Sequence, residues 1–362
     1  MKFKKLSLLI LVVLIIIAGV VAVQYFTGGN SQSNYNSQTA GSVVYIENGV
    51  SGVVTINDPF LNRTTAITVI YYPMDTGTGF IVTNNGYIIT ALHVVGDLKA
   101  LDKQQLKILS SSDIERYTEM AAVKGYIDQY NPELVSELGT SSADPNSTTN
   151  ALIQRGLLSV SSTKQVIKVK VPNIDQKFTA TLVDVGNPNI GEDVALLKLN
   201  TNLNNLPTLN ISSKKPTILE KVHMYGYPGS NSTNSSFNQQ ELKPSISNGF
   251  LTTETAKNST NSNNNFNIQS IFENLVNWFT ISSTSQTVAN SSIYYGTTAE
   301  TTKGESGGPV MDSQNNVLGI IIFGVESSDL FKQQIKITSS LFMSSDYIVQ
   351  ICKKNNVSIN VV

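Results

Sequence analysis

At 362 residues the chain has room for two globular units or for one domain of two similar halves, so core size excludes nothing. Its 25 basic and 26 acidic residues nearly cancel, which removes the positive field that a nucleic-acid partner would need. Charged residues make up only 14% of a chain crowded with Asn, Ser and Thr, and a single cysteine, Cys352, leaves no internal disulfide, so the fold must be held by burial alone.

The N-terminus reads as a membrane anchor over residues 1–26. Lys2, Lys4 and Lys5 precede an unbroken apolar run over residues 6–23, which as a helix would cross most of a bilayer's hydrocarbon. A cleaved signal peptide is the alternative, but its apolar core usually spans only about 7–15 residues and ends at a small-x-small site that is missing here. The lysines are expected to stay cytoplasmic, which puts everything after Gln24 outside. Sequons at Asn62, Asn146, Asn210, Asn231, Asn234, Asn258, Asn290 and Asn356 suit an external domain, although a chain so rich in Asn and Ser generates them by chance.

Residues 27–41 lack apolar periodicity and read as a flexible linker, so the folded domain is expected to begin near Ser42 and to run over 42–350. Short β-rich segments follow with turns between them: SVVYIE, GVVTIN, TAITVIYY and GFIVTNNGYIIT. The Asn85-Gly86 pair predicts a tight hairpin. Helical periodicity then takes over in an insertion at 97–160. Ser112 and Glu115 form a capping box, Met120, Val123, Ile127 and Tyr130 make one stripe, and Pro132 and Gly139 bracket a second short helix. Strands resume with KQVIKVKV, KFTATLVDV and EDVALLKLN. TNLNNLP crosses to a second half at about 215–345, which opens with KVHMYGYP. There the β pattern is broken by Asn/Ser-rich loops at 229–240 and 255–267. An insertion is expected at 255–290, with Ile268, Ile271, Phe272, Leu275 and Phe279 on one helical face. A short helix is expected around 345–353, and residues 351–362 read as a tail.

The sharpest chemical feature is Gly304-Glu305-Ser306-Gly307-Gly308-Pro309. Glycines beside a serine permit a tight turn whose amides can face a developing oxyanion and let a substrate carbonyl approach closely. Serine needs a neighbouring base, usually a histidine backed by a carboxylate. Of the two histidines, His93 follows a predicted strand, where a loop residue can face a cleft. His223 lies inside an apolar strand and reads as structural. For the carboxylate, Asp193 heads the buried run VALLKL, with Glu192 and Asp184 as competitors; a short, buried Asp is best suited to fix an imidazole tautomer.

TALHVV, EDVALLKL and GESGGPV, in that order, resemble the three catalytic segments of the trypsin-like serine peptidases, and residues 77–89, GTGFIVTNNGYII, resemble the HtrA/DegP (Do-like) branch. The resemblance implies an all-β double six-stranded β-barrel with helical insertions. The first barrel would span about 42–205, the second 215–345, and the site would lie between them. It implies His93, Asp193 and Ser306 as the catalytic triad and the Gly304 and Ser306 amides as the oxyanion hole. By motif position Glu300 falls where these peptidases place the base of the pocket for the residue before the cut, and a carboxylate there would favour Lys or Arg. The segment 319–324, with Ile322, Phe323 and Gly324, would pair with extended substrate backbone.

Departures from the family pattern are visible too. Both insertions lengthen the paths between the motifs. Only 56 residues follow Ser306, too few for a PDZ domain. Glu305 stands where HtrA proteins commonly have Asn. It resembles the Asp that pairs with a new N-terminus in digestive members, a route closed to a chain anchored at that end.

The function implied is a membrane-anchored, extracytoplasmic serine endopeptidase acting on polypeptide substrates, with a role in protein quality control. A catalytically dormant module that binds unfolded polypeptides is the chief alternative. An esterase with the same triad is disfavoured by the β-rich pattern and the His-Asp-Ser order. No cofactor, metal or nucleic-acid partner is implied, and oligomerisation is possible but not indicated.

Overall fold

A computed structural model describes residues 37–97, 106–140, 145–229, 243–256, 293–327 and 337–362. The anchor predicted at 1–26, most of the linker, nearly all of the insertion at 255–290 and its apolar helical face lie outside the described residues. Among the described residues no helix is long and apolar enough to cross a membrane. The stretch read as the end of the linker forms a short helix, α1 (Ser37–Ser42), that buries Thr39, Ala40 and Ser42.

The first half opens with β1 (Val43–Asp58) and β2 (Arg63–Ile81), far longer than the four short strands predicted. SVVYIE and GVVTIN fuse into one strand because register shifts at Asn48/Gly49 and Val50/Gly52 let the ladder bend without breaking. Pro73 sits opposite Gly49 at this irregularity, where a missing backbone donor is tolerated. Gly52 is fixed by sterics, since a Cβ there would lie 2.2 Å from the Ser162 carbonyl and 2.8 Å from the Thr118 methyl.

The predicted Asn85-Gly86 turn joins β2 to β3 (Tyr87–Thr90). It is wider than a two-residue hairpin, with Val82 N–H donating to Tyr87 C=O at 2.9 Å and only Gly86 taking positive φ (94°). A one-turn helix follows, α2 (Leu92–Val95).

The insertion is helical as expected, with α3 (Ser111–Gln129), α4 (Leu134–Glu137) and α5 (Pro145–Gln154). Two details of α3 depart from expectation. Its capping box is Ser110 with Asp113, two residues before the predicted pair. Its buried face is Thr118, Glu119, Ala121, Ala122, Val123 and Tyr126, so Val123 of the predicted stripe is buried while Tyr130 is exposed; Tyr126 fills the core in its place, with its hydroxyl donating to Asp58. The helices cover the far part of β1 and β2 in a separate core of Val54, Ile56, Val69, Ala122, Tyr126, Leu134 and Leu152.

With β4 (Leu158–Lys170), β5 (Lys177–Val185) and β6 (Ala195–Leu199), the ring closes in the order β1-β2-β3-β6-β5-β4. A two-residue strand, β7 (Asn210–Ile211), leads to the second half.

There β8 (Lys221–Gly226), β9 (Ser245–Ala256), β10 (Ile293–Thr297), β11 (Pro309–Met311), β12 (Asn316–Ser327) and β13 (Ile337–Ser344) run in the order β11-β8-β9-β10-β13-β12. The β11–β12 pairing closes the second ring. The fold is therefore a double six-stranded β-barrel. One apolar cluster runs from Val43, Phe80 and Leu196 of the first barrel to Tyr225, Tyr294 and Ile322 of the second.

The C-terminal helix α6 (Asp346–Lys354) buries Tyr347, Ile348, Ile351 and Cys352. Beyond it, Val361 pairs with Ile211, so the residues read as a tail return to β7.

Candidate active site

His93 is delivered by α2, immediately after β3. Its backbone N–H donates to Asp193 Oδ1 at 2.9 Å and its Nδ1 lies 2.6 Å from Asp193 Oδ2. A carboxylate only accepts, so Nδ1 carries the proton and the lone pair of the neutral ring lies on Nε2, the nitrogen a general base uses. Asp193 is 1% exposed and precedes β6. The turn before it is held by Gly191, at φ 85°, whose carbonyl accepts the Tyr294 hydroxyl of the second barrel.

Burial of His93 works against its cationic form, yet the charge and hydrogen bond of Asp193, with the charge of Asp75, leave its pKa above the ordinary histidine value. The competing carboxylates are engaged elsewhere. Glu192 accepts from Asn187 N–H at 2.6 Å, and Asp184 holds Lys354 and the Asn355 amide. His223 pairs instead with Asn248 across the β8–β9 ladder.

Ser306 sits in a turn shaped by two glycines with positive φ, Gly304 at 97° and Gly307 at 87°. A Cβ on Gly304 would lie 2.4 Å from Gly229 N, and one on Gly307 would lie 2.1 Å from Thr78 O and 2.9 Å from Ala91 N. Both positions therefore exclude any side chain, and Gly307 sets the serine turn against the strand end that carries His93.

Thr78 of β2 clamps the turn. Its N–H donates to Ser306 C=O at 2.8 Å, its hydroxyl donates to Gly304 C=O at 2.8 Å, and the same hydroxyl accepts from Tyr227 N–H at 2.9 Å. Gly77 lies between the Val94 methyls and the Ser306 carbonyl. Among the described residues, neither the Gly304 nor the Ser306 amide has a hydrogen-bond acceptor.

Glu305 is 6% exposed, and its carboxylate accepts from Thr302 N–H at 2.6 Å and from the Ser245 hydroxyl. The partner expected of a freed N-terminus is thus replaced by groups of the barrel itself.

The Ser306 hydroxyl donates to Ile322 C=O at 2.8 Å, and among the described residues no hydrogen bond joins it to His93. On β12, Phe323 and Gly324 pair with Leu341 and Ser340 of β13 on one edge, while β11 pairs only up to Ile320 on the other. The edge beside Ser306 is left without a strand partner among the described residues. Glu300 is exposed on the loop after β10.

Thr78 and Asp75 were not singled out from sequence. Their proximity to the site depends on β2 reaching across to the second barrel, and the GTG sequence around Thr78 is the only local hint.

A search of curated proteins finds no match. Solved structures similar to this chain include the active form of the Rv3671c protease from M. tuberculosis, 15% identical, with TM-score 0.43 and 92% of this chain and 90% of that chain covered, and the inactive form of Rv3671c protease, 14% identical, with TM-score 0.42 and 87% and 89% covered. Family membership rests instead on the sequence. Residues 77–320, more than half of the chain, match the trypsin-like peptidase domain. The chain belongs to the trypsin-like peptidase family and is a serine peptidase.

Proposed function

We propose that the protein is an endopeptidase in which Ser306 attacks a peptide carbonyl, His93 is general base and then general acid, and Asp193 orients and balances the imidazole. The observation that carries this reading is the 2.6 Å His93–Asp193 pair beside a glycine-built serine turn. Ser306 Oγ bonds the carbonyl carbon while its proton passes to His93 Nε2. The oxyanion takes the two open amides of Gly304 and Ser306, donors of a kind worth about 2.7–4 kcal/mol each. Collapse breaks the C–N bond as Nε2 returns the proton to the leaving amine, and water then repeats the sequence to free the acid.

Rotation about the Ser306 Cα–Cβ bond exchanges the Ile322 carbonyl for His93 Nε2. A substrate strand laid along Ile322, Phe323 and Gly324 competes for that carbonyl and favours the rotation.

We further assign the peptidase to the outer face of a membrane, tethered through residues 1–26, where it degrades damaged or unfolded polypeptides. The lysine-flanked apolar run, the sequons and the resemblance of residues 77–89 to the HtrA branch support this assignment.

The resting bond from Ser306 to Ile322 favours one second reading, a dormant module that binds polypeptides without cutting them. Fluorophosphonate labelling and casein cleavage by the purified ectodomain separate the two. Cleavage lost in both Ser306→Ala and His93→Ala is expected. Cleavage unchanged in both rejects the mechanism, and labelling without proteolysis favours an esterase or a dormant enzyme.

A further inference from the structure

Asp75 is a half-buried carboxylate with no role in the mechanism above. Strand pairing from Asp75↔Asn48 to Gly77↔Ile46 is regular, so residues 75 and 77 project to the same side of β2. That side meets the site: a side chain on Gly77 would collide with the Val94 methyls, next to His93, and approach the Ser306 carbonyl at 3.2 Å. One strand repeat places residue 75 about 7 Å further along the same face.

Among the described residues no ion pair within contact distance engages Asp75, although its charge acts on His93 and on Lys303, which precedes the Gly304 amide. The charged groups acting on the imidazole are thus Asp193, from the segment before β6, and Asp75, from β2. Lys303 acts on Asp75 from the serine turn, while Tyr294 and Glu192 lie behind Asp193.

We propose that Asp75 is a positioning residue for the reaction, a second carboxylate that acts through space on His93 and stabilises the imidazolium formed when Ser306 gives up its proton. Asp193 fixes the tautomer by direct contact. Asp75 adds negative potential from the opposite strand without touching the ring. Burial holds the Asp75 pKa above the usual carboxylate value, so it is neutralised earlier than an exposed aspartate as pH falls.

The proposal rests on the role given to His93, but its test does not need activity. The chain has only two histidines, so proton NMR of the ring signals gives one reporter, His93, and one internal control, His223. The titration is run in the Ser306→Ala ectodomain, with and without Asp75→Asn. The His93 midpoint is expected to fall by about half a pH unit in the Asn variant, the scale of one charge acting at several ångströms. His223 is expected not to move, and Asp75→Glu to restore the midpoint. Asp75→Ser is read in the same way should the Asn variant not fold.

With Ser306 intact, the pH profile of fluorophosphonate labelling is expected to shift by the same amount. An unchanged His93 midpoint overturns the proposal. A shifted midpoint in an ectodomain that neither labels nor cleaves sustains Asp75 and overturns the peptidase reading alone.

Discussion

Asp193 and Asp58 are both buried carboxylates, 1% and 0% exposed, and they do opposite things. Asp58, at the end of β1, accepts from Phe60 N–H, Leu61 N–H, the Tyr126 hydroxyl and the Asn131 amide at 2.8–3.1 Å. Every one of these donors keeps its proton through neutral pH. Tyr126 is pushed up to about 12 by burial and by its bond to Asp58. Asp193 instead spends an oxygen on an imidazole, a ring that gains and loses a proton near neutrality. Burial alone does not mark a functional carboxylate; the partner's titration does.

The comparison breaks most sharply at Asp193. Asp193→Asn keeps the shape but no longer selects the tautomer, and kcat is expected to fall by roughly 10⁴-fold with the unfolding midpoint little changed. Rates across pH sharpen this further. In the proposed mechanism His93 acts as a base only when neutral, and its pKa is raised, so the acid limb of kcat/KM is expected above the ordinary histidine value.

Asp58→Ala should do the reverse. It takes the acceptor from four donors, the buried Tyr126 hydroxyl among them, and is expected to destabilise by about 2–4 kcal/mol in denaturant titrations, while the labelling rate of the folded protein changes little. Although burial opposes its charge, the four donors leave the Asp58 pKa below the ordinary value. The stability it gives is therefore present above that ordinary value and lost as pH falls through the folded one. Asp58→Asn should flatten this acid dependence. A large loss of activity with unchanged stability in Asp58→Ala would collapse the distinction.

What the sequence made legible follows the same divide. The serine turn could be read because its demands are local: Gly304 and Gly307 take positive φ, and that need is written next to Ser306. The apolar run in EDVALLKL placed a buried strand and set Asp193 at its head, but spacing alone could not dismiss Asp184 and Glu192. Asp184 is engaged by Lys354 across the fold, and Glu192 by the Asn187 amide of its own turn.

The continuity of β1 was hidden because Asn48 to Gly52 reads as a turn until β2 and β4 pair across it. The α3 cap was misplaced because Ser110 and Ser112 are equally good caps by type, and Lys107 beside Asp113 favours the earlier one. The site roles of Thr78 and Asp75 stayed unread for the same tertiary reason, with only the GTG around Thr78 as a local hint.

Two smaller effects test whether the serine turn is braced as the structure suggests. Glu305→Ala removes the acceptor of the Thr302 amide and the Ser245 hydroxyl, which frees the turn that presents the two open amides. A loss of kcat of about 10- to 100-fold with little change in KM is expected, since such donors act mainly in the transition state. A change confined to KM would assign Glu305 to substrate binding instead.

Glu300 should matter least, because its exposure leaves the carboxylate screened by water. If it does sit at the base of the pocket for the residue before the cut, Glu300→Gln lowers the preference for Lys or Arg there by no more than about tenfold, read from fragments of a peptide library. An unaltered preference makes it a solvated loop residue, and the selection of the cleavage site then falls to the open edge of β12.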